Sequence, residues 1–70
     1  MQRKANVRSI SGALFLCEIE SGQGGQYLYK GEKTRPAILS KSAHFRPKIG
    51  DKVLLKEGDN GFDYIVALLD

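Results

Sequence analysis

Ile49-Gly50-Asp51-Lys52-Val53-Leu54-Leu55-Lys56, the turn Gly58-Asp59-Asn60-Gly61 and then Tyr64-Ile65-Val66-Ala67-Leu68-Leu69 form the stretch on which the fold is decided. Val53 and Leu55 alternate with Lys52, Leu54 and Lys56, so one face of an extended segment is apolar and the other wet. The Gly-Asp-Asn-Gly cluster reverses the chain, because these residue types reach turn conformations at low cost. The closing segment is apolar on both faces, which suits a strand that pairs centrally or closes a barrel. A hairpin from Asp51 to Leu69 is the expected result.

Working toward the N-terminus, Phe15, Cys17 and Ile19 share one face between Gly12 and Ser21, with Leu16, Glu18 and Glu20 on the other. After the glycine-rich Ser21-Gly22-Gln23-Gly24-Gly25 loop, Gln26 to Lys30 reads as a third strand, and Lys4 to Ile10 supplies the first. The loop is not a phosphate cradle, because no Gly-Lys-Ser/Thr follows and no helix opens after it. From Ala37 to Phe45 the pattern is ambiguous: Pro36 could open a short helix of at most two turns, or the stretch could be irregular. The expected fold is all-β, a small five-stranded OB-like barrel in one domain over residues 1–70, with an SH3-like barrel as the alternative.

The 70 residues carry 41% hydrophobic and 27% charged side chains, an ordinary globular balance with one thin core. No apolar run approaches the roughly 18 residues of a membrane span, and the polar start is no signal peptide, so a cytoplasmic location and no membrane partner are expected. Cys17 and His44 are the only Cys and His, too few for a disulfide framework or a Cys/His metal site. Neither has a visible catalytic companion: Cys17 reads as a buried structural thiol and His44 as a surface or packing residue. No enzyme activity and no cofactor are expected.

The Gly50-Asp51-Lys52-Val53 turn, followed by a second turn and an apolar strand, resembles the closing half of bacterial translation initiation factor one. It also resembles the N-terminal OB domain of the ribosome-assembly GTPases. In both families a strand like Phe15 to Gly22 leads to a basic loop, a place taken here by Lys30-Gly31-Glu32-Lys33-Thr34-Arg35. The resemblance spans roughly residues 7–69 and implies a non-catalytic RNA-binding protein of translation or the ribosome. Gly50 to Leu55 together with Asp63 to Leu69 is also similar to small OB modules of phage tails and contractile secretion systems. In those modules the barrel packs on copies of itself or on a neighbour, which implies a protein-protein assembly role.

Charge is uneven along the chain: +3 over residues 1–8, −2 over 9–29, +5 over 30–48 and −3 over 49–70. Tyr27 and Tyr29 share a strand face, and Lys30, Lys33 and Arg35 follow directly, with Arg46 and Lys48 extending the basic block. OB surfaces bind single strands by stacking bases on aromatic rings while cations follow the phosphates. Tyr27, Tyr29, Lys30, Lys33, Arg35, Arg46 and Lys48 are thus the candidate nucleic-acid site, to which Arg3, Lys4 and Arg8 could add. The competing reading turns both tyrosines into the core. Tyr64 is expected in the core and Phe62 exposed at a loop tip. An exposed edge strand would favour self-association or strand addition by a protein partner.

Overall fold

The computed structural model describes residues 2–20 and 34–69. Five strands, β1 (Gln2–Ser11), β2 (Leu14–Ile19), β3 (Thr34–Leu39), β4 (Lys52–Glu57) and β5 (Asp63–Leu69), close into a barrel in the order β1-β2-β3-β5-β4. Every neighbouring pair is antiparallel except β3 and β5, which run parallel. The fold is the expected all-β, five-stranded OB-like barrel. Among the described residues there is no helix, and so none long and apolar enough to cross a membrane.

β1 is long because it serves two neighbours, pairing with β4 over Gln2 to Asn6 and with β2 over Ala5 to Ser11. The register steps from Val7↔Cys17 to Ser9↔Leu16, leaving Arg8 as the extra residue of a bulge that bends the strand around the barrel. A second bulge lies in β5, where Leu54↔Ala67 is followed by Leu55↔Ile65 and Val66 is the extra residue. Alternation then fills the interior with Ala5, Val7, Phe15, Cys17, Ile19, Ala37, Val53, Leu55 and Ile65, against which Ile10, Leu39 and Phe45 pack. Phe15, Cys17 and Ile19 face inward as the sequence predicts.

The Gly50-Asp51 turn latches β4 to β1. Gly50 takes a φ of 95°, in the left-handed region that favours glycine, and donates its N–H to the Val7 carbonyl at 2.8 Å. The Val7 N–H returns to the Asp51 carbonyl at 2.9 Å, and the Asp51 carboxylate accepts the Lys48 N–H at 2.8 Å. The turn that marks the sequence therefore holds two strands in register.

Two expectations need correction. The strand that follows β2 among the described residues is Thr34–Leu39, a segment the sequence reading divides between a basic loop and an ambiguous connection. Pro36 sits inside this strand opposite Leu16 and opens no helix. Between β3 and β4 the chain is irregular, and Phe45 and the fully buried Pro47 pack inward from it. The expected strand from Gln26 to Lys30 lies outside the described residues. Second, Tyr64 is half-buried on the outer face, while its neighbour Asp63 points inward with no exposure.

Asp63 is the centre of a buried ionic group. Its Oδ1 accepts from Arg35 Nη2 at 3.3 Å and its Oδ2 from Arg3 Nη2 at 3.4 Å, while Arg35 Nη2 also donates to the Gly61 carbonyl at 3.2 Å. One carboxylate thus joins β1, β3 and β5. Removing one partner of a buried ion group leaves the others desolvated and uncompensated, at a cost of about 3 to 5 kcal/mol. Asp63→Ala is expected to lower stability by about that amount, measured by urea unfolding at pH 7. A loss under 1 kcal/mol would show that the two arginines find other partners.

Candidate docking face

The outer side of β2, β3 and β5 follows from the same alternation that fills the core. β2 turns Leu14, Leu16 and Glu18 outward, β3 turns Thr34, Pro36 and Ile38 outward, and β5 presents Tyr64 after the exposed Phe62. Register assembles these residues into two rows. Leu16 pairs with Pro36, and Pro36 lies beside Phe62, one position before the Ala37↔Asp63 pair. Ile38 pairs with Tyr64, and Leu14 lies across from Ile38, one position from the Phe15↔Ala37 pair. Leu14, Leu16 and Phe62 are 38%, 39% and 38% exposed. Ile49 at 65% and Leu68 at 43% are more exposed but lie off these rows, so it is contiguity that sets this face apart, and scattered apolar side chains are ordinary on a surface.

Several of the charges on the barrel are matched locally. Arg8 pairs with Glu18 beside Leu16, and Lys52 Nζ lies 3.0 Å from Glu20 Oε2. Arg3 and Arg35 turn their charge into the barrel toward Asp63. Part of the basic charge counted along the chain is therefore spent inside the fold.

Of the seven candidate nucleic-acid residues, Tyr27, Tyr29, Lys30 and Lys33 lie outside the described residues. Arg35 is buried on the interior side of β3, facing Asp63, so its guanidinium is not on the outer wall where a phosphate would contact it. Arg46 and Lys48 are exposed in the β3–β4 connection. Arg46 has structural work there, with its guanidinium 5.3 Å from the Phe15 ring centroid and Nη2 donating to the Gly12 carbonyl at 2.8 Å. The structure does not bring Arg35 together with Arg46 and Lys48 on one surface. The apolar rows are not evident in the sequence pattern, although β2 carries part of their signal: Leu14 and Leu16 place two large apolar side chains on its outward face before Glu18.

Cys17 is fully buried among Phe15, Ile19 and the rest of the core. Burial, with a smaller contribution from the negative Asp63, pushes its thiol up from 9.0 to about 11. A group that holds its proton more tightly when folded stabilises the fold below its unfolded pKa and loses that contribution as pH climbs to its folded pKa. Wild type is therefore expected to lose stability relative to Cys17→Ala as pH rises from about 9 to about 11, followed by urea midpoints at matched pH. Parallel midpoints across that window would show the thiol to be solvated.

Searches against protein-family models, curated proteins and solved structures find no match to this chain.

Proposed function

We propose that the chain is a non-catalytic docking module that joins a protein partner through the apolar outer face of β2, β3 and β5. The observation that carries this reading is the pair of rows Leu16-Pro36-Phe62 and Leu14-Ile38-Tyr64. Side chains held on paired strands are already ordered, so docking on them forfeits little conformational freedom. The similarity of the closing hairpin to phage-tail and secretion OB modules points the same way. A buried thiol with a raised pKa is a poor nucleophile, which makes Cys17 a core-packing residue.

RNA binding in a translation-related setting is the second reading. It draws on the resemblance to initiation factor one and on the exposed Lys41, Arg46 and Lys48 of the β3–β4 connection. Phosphate-driven binding falls steeply with salt, and apolar docking does not.

The test pairs two measurements. Partners retained by the immobilised chain in lysate of its source organism are identified, purified and titrated against wild type and the Leu16→Asp, Ile38→Asp double variant, with folding checked by circular dichroism. The double variant is expected to bind at least tenfold more weakly, and equal affinity would reject this face. Fluorescence anisotropy of a labelled single-stranded RNA at about 50 and 200 mM salt is expected to show no micromolar binding. Micromolar binding that weakens steeply between the two would favour the RNA reading.

A further inference from the structure

A cleft of about 520 Å³ opens beside the apolar rows, lined by Ser40, Lys41 and Ser42, by Lys56 to Asp59, and by Tyr64 and Val66. Its origin is topological. β3 pairs with β5 only over Ala37 to Leu39 against Asp63 to Ile65, and the Ser40 N–H to the Ile65 carbonyl at 3.1 Å is the last link along that edge. The chain then turns away, with the Ala43 N–H closing on the Ser40 carbonyl at 3.1 Å. β5 continues to Leu69, held on its other side by Lys52 to Leu54. Among the described residues, the edge of β5 beyond Ile65 therefore has no neighbouring strand.

The floor of the cleft is set by a close approach. A Cβ on Gly58 would lie 2.3 Å from the Phe62 carbonyl oxygen and 2.7 Å from Tyr64 Cε2. Only glycine lets the β4–β5 turn lie against the Tyr64 ring, which braces that ring on the outer wall. The cleft is also lined by Lys41 and Lys56, neither with an ion-pair partner among the described residues, and by Ser40 and Ser42, whose hydroxyls are mutually bonded at 3.2 Å. Glu57 and Asp59 lie toward the turn, and Glu57 is already engaged within the protein.

We propose that this cleft receives an extended, acidic segment of the protein partner, which adds alongside β5 beyond Ile65 and places a carboxylate between Lys41 and Lys56. An open strand edge offers main-chain hydrogen bonds to an extended chain, and an adjoining pocket for alternate side chains supplies selectivity. The bulge at Val66 turns that side chain toward the cleft, where it adds an apolar contact beside Tyr64. A peptide needs to place one negative side chain near the lysines. A nucleic-acid strand would have to carry successive phosphates past Asp59 and Glu57. The inference rests on the protein-docking reading and names the chemistry of the segment that reading requires.

The test selects linear peptides from a displayed random library against the full chain and maps the best of them by NMR shift perturbation. Selected peptides are expected to share an acidic residue between β-branched ones and to perturb residues 40–42 and 64–69. Lys41→Glu with Lys56→Glu, both at exposed positions, should weaken binding at least tenfold, and a peptide with its acidic residue changed to Lys should recover binding to that variant. Peptides that map to Leu14, Leu16 and Ile38 and ignore the charge reversal would overturn the cleft assignment while leaving protein docking intact. Failure to select any peptide, together with salt-sensitive RNA binding, would overturn both.

Discussion

The contact between Asp63 and the two arginines sits at the place where the barrel is hardest to close. Four of the five strand pairings are antiparallel ladders, but β3 and β5 meet in parallel over only three residue pairs, the first of which is Ala37↔Asp63. Asp63 accepts there from Arg35 of β3 and also from Arg3, which β1 brings from across the barrel. A seam with few ladder bonds thus gains two charge-assisted ones, shielded from solvent and screened little by salt. Apolar residues of similar volume could often replace such a group without loss, so its presence speaks more for strand register than for stability. An apolar pair tolerates a shift of β3 along β5, whereas a guanidinium displaced by one residue would turn to the outer face and leave Asp63 unmet.

That same feature explains which parts of the fold could be read from the sequence. The hairpin from Asp51 to Leu69 is legible because Val53 and Leu55 alternate with polar neighbours and Gly58 to Gly61 marks the reversal. β2 is legible through Phe15, Cys17 and Ile19. β3 is not, because its two consecutive inward positions are Arg35 and Ala37, and a proline stands between them. A charged inward residue erases the period of two on which strand assignment depends, and Pro36 removes a ladder donor besides. Tyr64 departs from its expected core position for the same reason: once Asp63 takes the inward position, alternation sends Tyr64 outward. Both differences have one cause, a buried carboxylate that draws two arginines into the barrel.

The candidate site was less legible than the fold, and the reason is physical. Exposed apolar side chains and core side chains look alike in a sequence, and only register separates Leu16 and Ile38 from Phe15 and Ala37. Summed charge carries a different ambiguity, because it does not say where each charge points. The blocks over residues 1–8 and 30–48 suggest a basic ribbon, yet Arg3 and Arg35 face Asp63 and Arg8 is matched by Glu18. Arg46 is drawn onto the Phe15 ring and the Gly12 carbonyl, where it ties the β3–β4 connection to the β1–β2 turn. Surface electrostatics depend on where each charge points after folding, so a linear count overstates what reaches a partner.

Placing the apolar rows on β2, β3 and β5 also has an energetic logic for so small a domain. A barrel of this length buries only about 60% of the surface of its unfolded chain, so its margin of stability is narrow. Six outward apolar side chains lie outside the monomer's core cluster. On the proposed docking they would supply burial available only to the folded chain, and a partner that selects the folded state stabilises it by mass action. The face is built on strands whose inner sides carry Phe15, Cys17, Ala37 and Ile65, so the residues that hold the core also hold this outer face in shape. Folding and the proposed docking then draw on the same three strands, and the closure made by Asp63 is what keeps their outer rows aligned.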